Sequence, residues 1–298
     1  MEANPHSTSQ NPTASGLICL RARSTHLVTW LGPAWAAWCG VVASGRFDWQ
    51  RQDWMQLALL ILLVDGGWST LWAALGGTDW ATPLRQWRRW RSGKRLATPP
   101  YTLPGSPGDD VSRWLGQLRA WWQDILWPAC GSAVLAIAVA LPVTIVLGAL
   151  LGMESVLLSI ATLAVIQLGA AWESGRGFIA PGWDAIIAVT LPWLAGHAAF
   201  GPLKLSSAAM ALAFALPWGS TWRANRAWAR VLSIGTQLLA AALLIALRQS
   251  LAASTLLLLI VPQLAIFPWL QRGHPLSQYV RYARPWLMAA MLVAAWAL

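Results

Sequence analysis

Between Trp54 and Arg95 an apolar run gives way to a basic one, and that junction restricts what this chain can fold into. The run opens as Trp54-Met-Gln-Leu-Ala-Leu-Leu-Ile-Leu-Leu-Val64, carries one acid at Asp65, and leaves its apolar phase near Gly76. From Arg85 to Arg95, six of eleven residues are Lys or Arg. A helix leaving hydrocarbon on the cytoplasmic side has this form, because basic loops are retained there beside anionic lipid. Hydrophobic residues make up 57% of the chain and charged residues 11%, against about 25% charged in a soluble domain. So few polar groups cannot cover a globular surface. The expected class is all-α, a polytopic integral membrane helical bundle.

Candidate spans, each needing roughly 17–25 residues, follow at Leu27–Ser44, Trp54–Gly76, Leu126–Leu151, Glu154–Trp172, Trp183–Phe200, Leu205–Trp218, Val231–Leu247, Leu251–Leu270 and Arg284–Leu298. With the N-terminus inside, 17 of the Lys and Arg residues fall in cytoplasmic loops. Arg46, Arg51, Lys204 and Arg248 fall on the other side. That asymmetry predicts about nine transmembrane helices, N-in and C-out; the expected location is a bacterial cytoplasmic (inner) membrane. Many of the 23 Trp lie near the ends of apolar runs, as an interfacial aromatic belt requires.

Residues 1–25 are rich in Ser, Thr, Asn and Pro near their start and read as a disordered cytoplasmic tail. Residues 26–298 read as one transmembrane helical domain. Within it, 77–126 is a cytoplasmic basic loop ending in an interfacial helix, with Asp110 as its cap. Trp114, Leu118, Trp121 and Ile125 share one face at helical spacing. The net charge of +10 is spread over connections between spans, so it reads as a topology determinant, and no nucleic-acid partner is expected. Cys19, Cys39 and Cys130 have no metal-ligand or disulfide spacing. Pro-Trp occurs at 192, 217, 268 and 285; the first falls in mid-span and predicts a kink near His197.

Ionisable and amide groups within spans are the candidates for chemistry. Asp65 costs about 2.5–3.5 kcal/mol on translocon scales, and Gly66-Gly67 behind it permits close approach of a helix or ligand. With His197 and Gln167 it forms a candidate cavity set. The alternative is that such groups tie helices together, as Gln237 and Gln263 are expected to do. His197 has a second alternative, axial ligation of a chlorin or haem. Arg223, Arg226 and Arg230, at i, i+3 and i+7, would place three guanidinium groups on one helical face. With Arg85, Arg88 and Arg89 they form a candidate anion or diphosphate clamp; lipid phosphate is the simpler ligand.

The architecture, and the run Leu27-Val-Thr-Trp-Leu-Gly-Pro-Ala-Trp-Ala-Ala-Trp-Cys-Gly-Val-Val-Ala-Ser-Gly45, resemble the UbiA superfamily of intramembrane prenyltransferases, in its (bacterio)chlorophyll-synthase branch. The resemblance implies nine helices, N-in, with working loops after the second and sixth. The family's first motif, Asn-Asp-x-x-Asp-x-x-x-Asp, would fall at Leu71-Trp72-Ala-Ala-Leu75-Gly-Gly-Thr-Asp79, where only Asp79 matches. The second acidic motif would fall between Gly219 and Arg230, a stretch without an acid. The family's magnesium therefore has one candidate ligand, Asp79, and would matter only if the chain were catalytic. The expectation is a UbiA-like membrane protein without magnesium-dependent prenyl transfer that binds an isoprenoid, quinone or chlorin-type lipid. The alternatives are a small-solute or lipid transporter and a structural subunit of a larger, photosynthetic-type membrane complex.

Overall fold

The computed structural model describes residues 32–87, 105–172, 181–272 and 275–298, whose regular elements are all helices, with no strand among them. Helix α1 is Gly32–Ser44, α2 Arg51–Gly76 and α3 Ala81–Trp87. Helix α4 is Pro107–Leu151 and α5 Met153–Trp172. Helix α6 runs over 181–200, followed by α7 Leu205–Ser220, α8 Ala227–Ala246, α9 Ser250–Gln271 and α10 Leu276–Trp296. The segments Arg51–Gly76, Pro107–Leu151, Ala227–Ala246 and Ser250–Leu270 are long and apolar enough to cross a membrane. Ile145, Val146 and Leu150 of α4, and Leu258 and Val261 of α9, are exposed, a surface suited to lipid rather than water.

Helix α1 is the wall between two cores. Ala36, Cys39 and Ala43 pack into one with Val189, Trp193, Phe214 and Met291. Ala37 and Val41 pack into the other with Leu60, Leu63, Trp68 and Ile166. Small residues let α1 and α6 touch backbone to backbone. A Cβ on Gly40 would land on the Trp193 carbonyl, and one on Gly196 on the Ala37 carbonyl. This reciprocal contact is the small-residue route to tight helix crossing. Trp35 Nε1 also donates to the Met288 carbonyl at 3.0 Å, which ties α1 to α10.

Sequence and structure part company at three local points. The amphipathic segment before the third apolar run does not turn before entering it: Pro107–Leu151 is one 45-residue helix, widened to a π turn at Trp122–Leu126. Its N-cap is Ser106, whose hydroxyl accepts from the Asp109 amide at 3.3 Å. Asp110 instead pairs with Arg113, at 2.8 Å. The irregularity near Pro192 is likewise a π turn, Ile186–Thr190, immediately before the proline-bearing helix Leu191–Phe200. A widened turn accommodates a missing N–H and a displaced carbonyl. The third point concerns Arg223, Arg226 and Arg230, which do not lie on one helix. Arg223 ends a short 3₁₀ turn, Arg226 is extended as the N-cap of α8, and only Arg230 is inside that helix.

Tryptophan serves in both settings. Trp68, Trp193 and Trp218 are buried, whereas Trp49, Trp54, Trp127, Trp228 and Trp296 are exposed. At one end of the bundle Trp38, Phe47, Trp49 and Trp54 pack ring on ring, with Phe47 against Phe200. Gln56 donates to the Ala199 carbonyl beside them.

Candidate functional site

A concavity lies where α2, α3 and α4 meet. Asp79 follows the end of α2 and starts α3: its Oδ1 accepts from the amides of Ala81 at 3.0 Å and Thr82 at 3.2 Å. Its Oδ2 accepts from the Thr82 hydroxyl at 2.6 Å. Those hydrogen bonds, the Thr82 hydroxyl first, together with the positive field of Arg85, hold the exposed Asp79 carboxyl below the usual carboxylate range. Helix α3 is pinned to α4 by Trp121, whose Nε1 donates to the Pro83 carbonyl at 3.0 Å. Trp87 packs edge-on against Trp114 and Trp121, so the apolar stripe of the amphipathic segment meets α3. The π turn at Trp122–Leu126 then presents Asp124. The result is a cleft of about 480 Å³ lined by Asp79, Thr82, Pro83, Gln86, Asp124, Ile125, Pro128 and Ala129.

The cleft does not fit a magnesium–diphosphate site. Asp79 and Asp124 are its two acids, and both oxygens of Asp79 already hold the start of α3. Among the described residues, no three His, Cys, Asp or Glu side chains converge to hold a metal. Without cations, two carboxylates repel a diphosphate. They leave the cleft suited to a neutral, hydrogen-bonding head, for which the Gln86 amide supplies donors.

No protein-family model, curated protein or solved structure matches this chain. Its chemistry therefore has to be read from the side chains.

His197 is fully buried and both of its ring nitrogens are engaged. Nε2 lies 3.0 Å from the Pro202 carbonyl, and Nδ1 lies 3.1 Å from Ser207 Oγ. Ser207 Oγ accepts from Trp193 Nε1 at 2.9 Å. A carbonyl can only accept, so Nε2 carries the proton, and Ser207 donates to Nδ1. The ring ties α6 to the start of α7 and leaves no nitrogen for axial ligation. Gln167 is exposed on α5, and no hydrogen bond joins Asp65, His197 and Gln167. The three candidates occupy separate environments. Gln237 and Gln263, by contrast, form a reciprocal amide pair between α8 and α9, 3.0 Å in each direction.

The basic candidates are also divided. Arg85 lies on α3 and is exposed, and Arg230 acts electrostatically on Tyr279 of α10. Arg88 and Arg89 lie outside the described residues. A different arginine stands out in the tertiary structure. Arg284 is buried on α10 with its guanidinium over the ring of Trp218, and the field of Asp184 reaches it from the start of α6. At the edge of an apolar run, Arg284 looked like a loop charge. Only the start of α10 at Leu276, two turns earlier, carries it inside.

Proposed function

We propose that this protein is an integral membrane protein of the bacterial cytoplasmic membrane with nine spans, N-in and C-out. In this reading it is a UbiA-like scaffold that binds a prenyl lipid with a neutral head, such as a quinone or isoprenoid alcohol, without magnesium-dependent prenyl transfer. One observation carries the ligand assignment: the cleft between α3 and α4 combines two acids with an amide and a hydroxyl. Ile125, Pro128 and Ala129 form its apolar side. From Pro128 an exposed face continues along α4 through Ser132, Leu135, Ala138, Pro142 and Val146, a track for an isoprenoid tail. The Gln86 amide and the two carboxylates favour a neutral head over a diphosphate.

Organic extraction and mass spectrometry of the purified full chain test the assignment. A neutral prenyl lipid is expected to co-purify, and Ala129→Trp, which fills the cleft, is expected to deplete it roughly tenfold, as the loss of one well-fitted subsite does. Phospholipid alone in both preparations sinks the reading. The topology has its own test, cysteine labelling from one side of the membrane at Lys94 and at Leu298. Labelling of both positions from the same side would remove an odd number of spans.

A further inference from the structure

Asp65 is the polar group that the lipid-binding cleft does not use. It lies within the π turn Leu62–Trp68, near the middle of the 26-residue helix α2. The turn packs on residues 127–151 of α4 and on α1. Neither segment contains an Asp, Glu, Lys, Arg or His; their titratable side chains are the thiols of Cys130 and Cys39. The other charges of α2, Arg51 and Asp53, are in its first turn. Helix α5, packed on the following part of α2, brings Glu154 in its own first turn. Helix α6 brings His197, whose ring is committed to Pro202 and Ser207. Among the described residues, none supplies Asp65 with a hydrogen bond or a counter-charge.

The turn is closed on one side and open on the other. A Cβ on Gly67 would come within 2.5 Å of Thr144 Oγ1, so that side is pressed against α4. A Cβ on Gly66 would meet nothing within 4 Å. Leu62, one turn before, is 51% exposed, and Asp65 itself is partly buried. The carboxyl therefore opens toward the apolar surface of the bundle, where an unpaired negative charge is costly. π turns of this kind recur at functional sites. None of the described residues neutralises that charge, and a lone carboxyl on an apolar helix face takes a small ion.

We propose that Asp65 is a membrane-embedded binding site for a small monovalent cation, a proton or an alkali ion in its place. The site is independent of the lipid-binding cleft. The probe is dicyclohexylcarbodiimide, applied to the full chain in phosphatidylcholine vesicles. A protonated carboxyl in apolar surroundings adds across its C=N bond, passing its proton to nitrogen, and rearranges to a stable N-acylurea that retains the whole reagent. Peptide mass spectrometry is expected to find the adduct on Asp65, and Asp65→Asn to lack it.

If the occupant is a proton, the adduct falls roughly tenfold or more as rising pH ionises the acid, and sodium has no effect. If the occupant is an alkali ion, sodium suppresses the adduct at constant pH, and replacing sodium with choline restores it. No adduct on Asp65 at any pH overturns the proposal. So does an adduct indifferent to both pH and sodium. Loss of lipid binding in Ala129→Trp, or its absence altogether, leaves this measurement unchanged.

Discussion

The guanidinium carbon of Arg284 stands 4.4 Å from the centroid of the Trp218 ring, with only 3% of the arginine exposed. The same indole abuts α1, since a Cβ on Gly32 would come within 2.7 Å of Trp218 Cζ2. One ring therefore covers a buried charge and seats the start of α1. Removing a buried large side chain costs about 3–5 kcal/mol, and uncovering a buried cation adds to that. Trp218→Leu is expected to lose about 3 kcal/mol or more in thermal unfolding of the detergent-solubilised protein. Arg284→Met, which removes the charge itself and keeps much of the volume, is expected to be milder. Equal losses would mean that the charge over the ring contributes nothing.

Ser207 sits between two aromatic donors and acceptors. Ser207→Ala strands the Trp193 N–H and His197 Nδ1 together, at about 1–3 kcal/mol for each stranded group. The same geometry bears on pigment binding. Because both nitrogens of His197 are engaged, adding haem or a magnesium chlorin is expected to give the same absorption spectrum with the parent protein and with His197→Asn. A His197-dependent shift would show that the Pro202 contact opens to admit a metal.

At the crossing of α1 and α6, Gly196→Ala and Gly40→Ala each force a methyl onto a backbone carbonyl of the partner helix. Backbone cannot rotate away as a side chain can, so each is expected to cost at least the 1–3 kcal/mol typical of overpacking. Gly66→Ala, facing open space on α2, is the matched control. Thermal melts that leave all three alike would place the crossing farther apart than it is here.

Asp79 gives a pH signature. Its folded carboxyl titrates below the ordinary range, chiefly through the Thr82 hydroxyl. A depressed acid contributes stability above its unfolded value, about 3.9, and loses that contribution as pH falls through the folded one. The effect is therefore confined to the acid limb. Thr82→Val is expected to move the Asp79 midpoint upward in a carbon-detected carboxyl titration. It should also leave the pH dependence of melting above the carboxylate range unchanged. An unmoved midpoint would show that the backbone amides of Ala81 and Thr82 carry the shift alone.

Helices were legible wherever an apolar run was long. Arg51–Gly76, Ala227–Ala246 and Ser250–Gln271 overlap the runs read from Trp54, Val231 and Leu251 with ends displaced by a few residues, because desolvated backbone must bond to itself. The glutamine pair was also foreseeable, since a lone amide in an apolar span needs a partner on a neighbouring helix. The grouping of side chains was not. Asp79 and Asp124 are separated by 45 positions, and Pro83 meets Trp121 across 38. Nothing local in either stretch announces the other.

By itself, the sequence determined the solvent, the helical class and the choice of polar groups worth asking about. Hydrophobicity and backbone hydrogen bonding act over one run at a time. Tertiary structure alone decided which polar groups were already satisfied. It committed both nitrogens of His197, left Gln167 on the outer face, and broke the three arginines at 223, 226 and 230 off a common helix. It buried Arg284 under Trp218 and left Asp65 without a counter-charge among the described residues. Whether a polar side chain is structural or available depends on what stands within about 3 Å of it. That is a property of which helices pack together, and a linear chain does not contain it in readable form.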